Sequence, residues 1–243
     1  MNLMLLEDAP ERLCLPFADA RAKHVRDVLR MRVGDRFDVG AVNGPRGKAL
    51  IVADGQGGME LSLEWGEEPR LALPLSLVIG LSRPQTMRKI LREAPALGIA
   101  QLHIPRCART EASYADSSLW SSGEWREQLL LGTEQAFTTR LPALQRHDSF
   151  AAAMDAVDGA AERIALDNYE ATLPLAEWRP SCKGAHTVLC IGPERGWNGE
   201  ERELLRARGF ALAHLGPLVL RTETAMIAGC ALATAALGGW DSL

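Results

Sequence analysis

The chain has 243 residues, of which 47% are hydrophobic and 24% charged, and its formal net charge at pH 7 is −4. That length suits one large domain or a small domain followed by a medium one, and the apolar share excludes wholesale disorder. No apolar run reaches the roughly 18 to 20 residues of a membrane span, and a net acidic chain is a poor non-specific coat for nucleic acid.

The start, Met1 to Asp8, is acidic where an export signal needs basic flanks, so a chain that stays in the cytoplasm is expected. Five scattered cysteines (Cys14, Cys107, Cys182, Cys190 and Cys230) lack C-x-x-C spacing and read as reduced thiols. The five histidines, His24, His103, His147, His186 and His214, share no ligand spacing, and no metal site is expected.

Up to residue 70 the pattern is β-rich. Arg36 to Val39, Lys48 to Val52 and Met59 to Trp65 alternate apolar and polar side chains, with Gly44-Pro45, Gly55 and Gly57-Gly58 marking turns. A short helix is predicted between Asp19 and Met31, with Val25, Val28 and Leu29 on its apolar face. Residues 21 to 48 carry eight basic side chains against three acidic ones, a local +5. Residues 83 to 109 carry six against Glu93, again +5. Either patch could be a plain solvated face, but two of them on an acidic body suit a protein that grips RNA at one place. A boundary is expected at Gly66-Glu-Glu-Pro-Arg70.

Beyond it, strands alternate with helices, the rhythm of a parallel sheet covered on both faces. Strands are predicted at 73 to 80, 101 to 104, 163 to 166, 187 to 191 and 211 to 215. Helices are predicted at 84 to 97 (interrupted by Pro95), 123 to 137, 150 to 157 and 222 to 237. Asn198 and Glu201 have capping-box spacing for another helix that stops at Gly209. The last helix is apolar nearly all round, which implies burial in the domain or against a partner subunit.

Two glycine-bearing loops carry the chemistry: Ile191-Gly-Pro-Glu-Arg-Gly-Trp-Asn-Gly-Glu-Glu201 and Leu215-Gly-Pro-Leu-Val-Leu-Arg-Thr-Glu-Thr-Ala225. Each follows a buried strand and leads into a helix, so both lie at the carboxyl edge of a sheet, where open α/β folds bind ligands. Neither holds a phosphate-binding G-x-x-x-x-G-K-[ST] or a dinucleotide G-x-G-x-x-G. Any one Gly-Pro pair is most simply a tight turn. The pair of loops, in this order and with this spacing, resembles the ribosomal RNA small subunit methyltransferase E family, of the SPOUT class of S-adenosylmethionine-dependent RNA methyltransferases. The usual forms are Gly-Pro-Glu-Gly-Gly and Leu-Gly-x-x-Ile/Val-Leu-Arg-x-Glu-Thr-Ala. Residues 215 to 225 match closely, and Gly192, Pro193, Glu194 and Gly196 match the first motif, with Arg195 where glycine is usual. Weaker likeness extends through His24 to Arg30 with Gly34-Asp35, Leu97 to Ile99, and Glu134-Gln135 with Pro142.

The resemblance implies an α/β, SPOUT-type trefoil-knotted parallel-sheet domain (residues 71–243) preceded by a small PUA-like β-barrel RNA-binding domain (residues 1–70). It implies a homodimer with active sites at the subunit interface, S-adenosyl-L-methionine as methyl donor, and N3 of a uridine in 16S ribosomal RNA, free or in the small ribosomal subunit, as acceptor. The implied cofactor residues are Leu166, Ile191, Gly192, Pro193, Glu194, Gly196, Leu215, Gly216, Leu220, Thr224 and Ala225. Glycine suits that role because it lets backbone groups approach a flat adenine. Arg221 and Glu223 flank Thr222 where a buried helix begins, a costly place for charge unless it is paired or used. Arg221 is the candidate to hold the target nucleotide, and Glu223 to orient Arg221 or act as base. A plain ion pair there is the structural alternative. The RNA grip is assigned to Arg21, Lys23, Arg26, Arg30 and Arg32. Departures from the family pattern are Ala96, where a glutamate is usual before Leu-Gly, Thr138, where an arginine is usual with Arg140 as nearest substitute, and Arg195. They leave open a non-catalytic RNA-binding or ribosome-assembly protein on the same fold, or a methyltransferase with a different target.

Overall fold

The computed structural model describes residues 3–67, 73–157, 159–160 and 162–239, so part of the expected boundary, residues 68–70, lies outside the described residues. The chain divides into two compact units, Met1–Leu71 with Thr133–Leu141, and Ala72–Gly132 with Pro142–Leu243.

The first unit is a curled five-stranded sheet, β1 (Met4–Leu6), β2 (Arg12–Leu15), β3 (Arg36–Ala41), β4 (Arg46–Gly55) and β5 (Gly58–Glu67), in the order β1-β3-β4-β5-β2. All neighbours are antiparallel except β1 and β3. Register shifts in the β4–β5 ladder, after Arg46 and after Ile51, bend these long strands. Alternate side chains close on a core of Met4, Leu6, Leu15, Val39, Ile51, Met59 and Leu61. Residues 133–141 complete this unit: the Asn43 amide donates to the Thr139 carbonyl (2.7 Å), and the Thr139 hydroxyl donates to the Gly44 carbonyl (2.7 Å). Gly40 is required there, because a Cβ on it would lie 2.5 Å from the Thr139 methyl group.

The helix expected between Asp19 and Met31 takes a different form. Asp19 caps α1 (Ala20–Lys23) by accepting from the Arg21 amide, and the chain then widens into a π-helical turn over His24–Val28. That extra residue shifts the helical register, so Ala22 and Val25 are buried while Val28 and Leu29, expected inside, stand outside.

The second unit holds a seven-stranded, all-parallel sheet in the order β10-β12-β9-β11-β6-β7-β8. Its elements in chain order are β6 (Leu75–Ile79), α2 (Pro84–Glu93), β7 (Gln101–Pro105), α3 (Ser118–Ser121), α4 (Glu124–Gln135), β8 (Ala143–His147), α5 (Phe150–Ala156), β9 (Glu162–Leu166), β10 (Leu173–Pro174), β11 (Thr187–Ile191), α6 (Gly199–Ala207), β12 (Ala211–His214) and α7 (Thr222–Ala236). The last residues of α4, from Thr133, belong to the first unit. Pro95 ends α2 as expected and opens a single 3₁₀ turn over Pro95–Leu97.

Strand β11 is buried on both faces, so it reads as a continuous apolar run. One face, with Val188 and Cys190, packs under Phe150, Met154, Trp197, Leu205 and Phe210. On the other, a Cβ at Gly229 of α7 would meet Leu166 and Leu189 at 3.0 and 3.2 Å, so glycine sets how closely that helix approaches the sheet. At the far edge, His103 and His147 stack with Nδ1 and Nε2 3.0 Å apart, and burial, then His147, pushes His103 down to about 4.

Candidate functional site

Because the sheet is parallel and β9 lies between β11 and β12, the loops leaving these three strands emerge side by side at its carboxyl edge. They line one open-sided cavity. The β9 loop contributes Asp167, Asn168 and Tyr169, the β11 loop residues 192 to 196, and the β12 loop Leu215, Gly216, Leu218, Val219 and Leu220.

The β11 loop is held by its own atoms. The Gly196 amide donates to the Pro193 carbonyl (2.7 Å), and Gly196 takes φ = +66°, a backbone region that favours glycine. A Cβ at Gly192 would sit 3.2 Å from the Gly196 backbone and 3.3 Å from the Trp197 ring. Trp197 is buried at the loop base, where its indole N–H donates to the Leu166 carbonyl (3.0 Å) and its ring packs on Phe150. Asn198 and Glu201 form the expected capping box, and Glu201 also accepts from the Ala108 amide (2.7 Å). Glu194 is engaged as well: its carboxylate accepts from the Arg83 amide and the Thr86 hydroxyl at the start of α2, a favourable end for negative charge. Arg195, also a lining residue, makes an exposed ion pair with Glu111 (3.2 Å), an acid outside the lining.

In the β12 loop, Gly216 has φ = +103°, and a Cβ built on it would meet open space. The β9 loop is pinned by a buried ion pair. Asp167 (1% side-chain exposure) pairs with Arg202 (8%) at 2.7 Å and accepts from the Tyr169 and Glu170 amides. Burial alone would raise its pKa, but the Glu170 amide, the Arg202 guanidinium and the Tyr169 amide outweigh it and hold the carboxyl below the usual range. Tyr169 lies exposed on the Arg202 guanidinium, 5.2 Å from it, at the cavity rim.

Ten of the eleven expected cofactor residues, Leu166, Ile191, Gly192, Pro193, Glu194, Gly196, Leu215, Gly216, Leu220 and Ala225, line this one cavity. Thr224 does not; it is exposed on the first turn of α7. Arg221 and Glu223 also stand outside the lining, although Thr222 between them belongs to it. Arg221 is an exposed N-cap that makes no side-chain hydrogen bond or ion pair among the described residues, which corrects the expectation of a buried, costly charge. Glu223 pairs with Lys89 (3.0 Å) and not with Arg221. Burial opposes its ionisation, but its own amide, Lys89 and Arg221 hold its carboxyl below the ordinary value, which makes it a weak base. Asp167, Tyr169 and Arg202 were missed in the sequence reading. Their signal was an Asp-Asn pair straight after a buried strand, a turn-forming combination.

In the first unit, the basic stretch is partly neutralised by Asp38 within it and by Asp19, Asp54 and Glu64 from outside it. Arg21 pairs with Asp19, Arg26 with Asp54, Arg36 with Glu64 and Lys48 with Asp38. Lys23, Arg30 and Arg32 are exposed, with no side-chain ion pair among the described residues.

Residues 69–234 match the family model of the RNA methyltransferase domain. The chain is 34% identical to the ribosomal RNA small subunit methyltransferase E of Treponema pallidum over 99% of its own length and 93% of that protein. It is 25% identical to the protein of the same name from Bacillus subtilis, over 90% and 88%. Its fold matches the crystal structure of a ribosomal RNA small subunit methyltransferase E from Neisseria gonorrhoeae bound to S-adenosyl methionine, with a TM-score of 0.79, 21% identity and 97% of each chain covered.

Proposed function

The chain belongs to the ribosomal RNA small subunit methyltransferase E family, and from that premise we propose that it methylates small-subunit ribosomal RNA from S-adenosylmethionine, at N3 of a uridine in 16S RNA. The observation that carries this reading is the convergence of both family loops on one cavity. The cavity suits the donor: glycine backbone and apolar walls fit a flat purine and a thioether-like chain, and the space beyond Gly216 is open. When bound, S-adenosylmethionine supplies an electrophilic methyl group on a sulfonium.

The protein's part is alignment and electrostatics. The β11 and β12 loops hold the donor. Asp167 and Arg202 fix the third wall. Arg195 has its charge countered by Glu111, which lessens its repulsion of a sulfonium. Arg221 is our candidate to hold the target nucleotide and to stabilise negative charge as N3 loses its proton; its exposure beside cavity-lining Leu220 and Thr222 supports that role. Glu223, paired with Lys89, anchors the start of α7 and is the weaker candidate for base.

The same reading gives the second unit a trefoil-knotted SPOUT fold and makes the first unit a PUA-like RNA-binding domain gripping through Lys23, Arg30 and Arg32, with Arg21 and Arg26 held by their acids. It also makes the chain a cytoplasmic homodimer. Exposed Leu218, Val219 and Ile227 supply apolar surface for that dimer.

The test is to map N3-methyluridine by mass spectrometry in small-subunit RNA from cells with and without this chain, and in small subunits treated with it and labelled S-adenosylmethionine. One uridine that gains the mark only with the protein supports the reading. A labelled donor that binds without transfer points to a non-catalytic RNA-binding protein. Arg221→Lys keeps the charge but loses the planar fork, and it is expected to lower turnover at least tenfold with little change in donor affinity.

A further inference from the structure

The segment between Phe17 and Gly34 carries several unusual features at once. The π-helical turn His24–Val28 is a rare backbone form that recurs at functional sites. Arg30, just after it, is held at φ = +56°, a strained position for a non-glycine residue. His24 Nε2 and Arg26 Nη2 are buried and meet no hydrogen-bond partner among the described residues. The segment also exposes apolar side chains where a solvated face would not: Val28 (64%), Val33 (57%) and Leu29. Phe17 (52% exposed) is tied to it by Arg26, whose guanidinium lies 4.4 Å from the ring centroid, donates to the Phe17 carbonyl and is braced by Asp54.

Lys23, Arg30 and Arg32 stand among these apolar groups without ion-pair partners among the described residues. Duplex RNA offers phosphates and 2′-hydroxyls, which cations alone can read, and exposed apolar side chains gain nothing from it. Unpaired RNA offers bare base faces beside its phosphates, which match interleaved cations and apolar platforms. We propose that this segment, with Phe17 beside it, is a binding surface for unpaired RNA, in which bases rest on Phe17, Val28, Leu29 and Val33 while Lys23, Arg30 and Arg32 take the phosphates. It rests on the reading of the first unit as the RNA grip, and it adds which form of RNA is gripped and by what contacts.

The experiment is fluorescence anisotropy of the full chain with a labelled single-stranded oligoribonucleotide of about 12 nucleotides, and with the same strand annealed to its complement, over a range of salt. The single strand is expected to bind more tightly. Phe17→Ala is expected to weaken single-strand binding about tenfold, the effect of one lost stacking contact, with an unchanged salt slope. Phe17→Trp restores it. Val28→Ser, at an exposed position where folding is not at stake, weakens it several-fold. Replacing Lys23, Arg30 and Arg32 by Gln together flattens the salt slope by about 2, at about 0.7 per contact. Equal affinity for duplex, or unchanged affinity in both Phe17→Ala and Val28→Ser, overturns the proposal. If the triple charge variant still flattens the slope, only the stacking surface fails. If it too changes nothing, the RNA grip fails with it, and the patch serves another class of partner such as a protein.

Discussion

The cavity of the second unit and the basic segment of the first show opposite relations between sequence neighbourhood and spatial neighbourhood. In the parallel sheet, segments some 25 residues apart, the loops after β9, β11 and β12, come together because every strand ends at the same edge. A motif read along the chain therefore becomes one site. In the largely antiparallel sheet, β4 and β5 bring acids to the basic stretch from outside it: Asp54 reaches Arg26 and Glu64 reaches Arg36. A charge count along the chain therefore overstates the free charge, and what remains is a smaller cationic group among exposed apolar side chains.

The hardest blow to the cavity side of this comparison is aimed at Asp167. Asp167→Ala leaves the buried Arg202 guanidinium with only its longer contact to Glu170 (3.6 Å) and is expected to cost about 3 kcal/mol in denaturant unfolding. A loss below about 1 kcal/mol would mean that the β9 wall does not depend on this pair. Because the folded carboxyl is held below its usual range, its contribution is complete above about pH 4 and is lost as pH falls through the lowered folded value. The acid limb of the stability curve is accordingly flatter in Asp167→Asn than in the wild type.

Gly192→Ala sharpens the same side at smaller scale. The added methyl meets the Gly196 backbone and the Trp197 ring, so about 1–3 kcal/mol of overpacking is expected, visible in the thermal midpoint. An unshifted midpoint would show that the loop yields freely and that glycine is needed there for another reason. On the basic side, neutralising Arg21 and Arg26 together is expected to leave the salt slope of RNA binding close to that of the wild type, since both cations are already paired. A slope that drops by more than about 1 would place those arginines on phosphate and erase the contrast.

Much of the second unit was legible in the sequence, because its signals are local. The apolar run Thr187–Ile191, the capping box at Asn198 and the Pro95 break each act within a few residues. Strand β8 was not legible: Ala143-Leu-Gln-Arg-His147 has one large aliphatic side chain and is a strand only because β7 offers it a ladder. Strands β1 and β2 were missed for a similar reason, being three and four residues long and defined by their pairing with β3 and β5. The π turn at His24–Val28 reversed the expected burial of Val28 and Leu29 because a helical period assumes an unbroken helix. Of the site itself, the glycine loops could be read from motif and order, whereas the Asp167–Arg202 pair joins residues 35 apart that no motif links.

The proposed methyl-donor site is the cavity between the three loops, and Gly216 tests that assignment most directly, because a side chain there enters open space and not the protein. Calorimetric titration of the wild type and Gly216→Leu with S-adenosylhomocysteine, alongside circular dichroism of both, is the measurement. The predicted result is wild-type binding that disappears in a Gly216→Leu protein that keeps its fold and loses only the stability expected of leucine at φ = +103°. Undiminished affinity in the folded variant would contradict the assignment of this cavity to the donor.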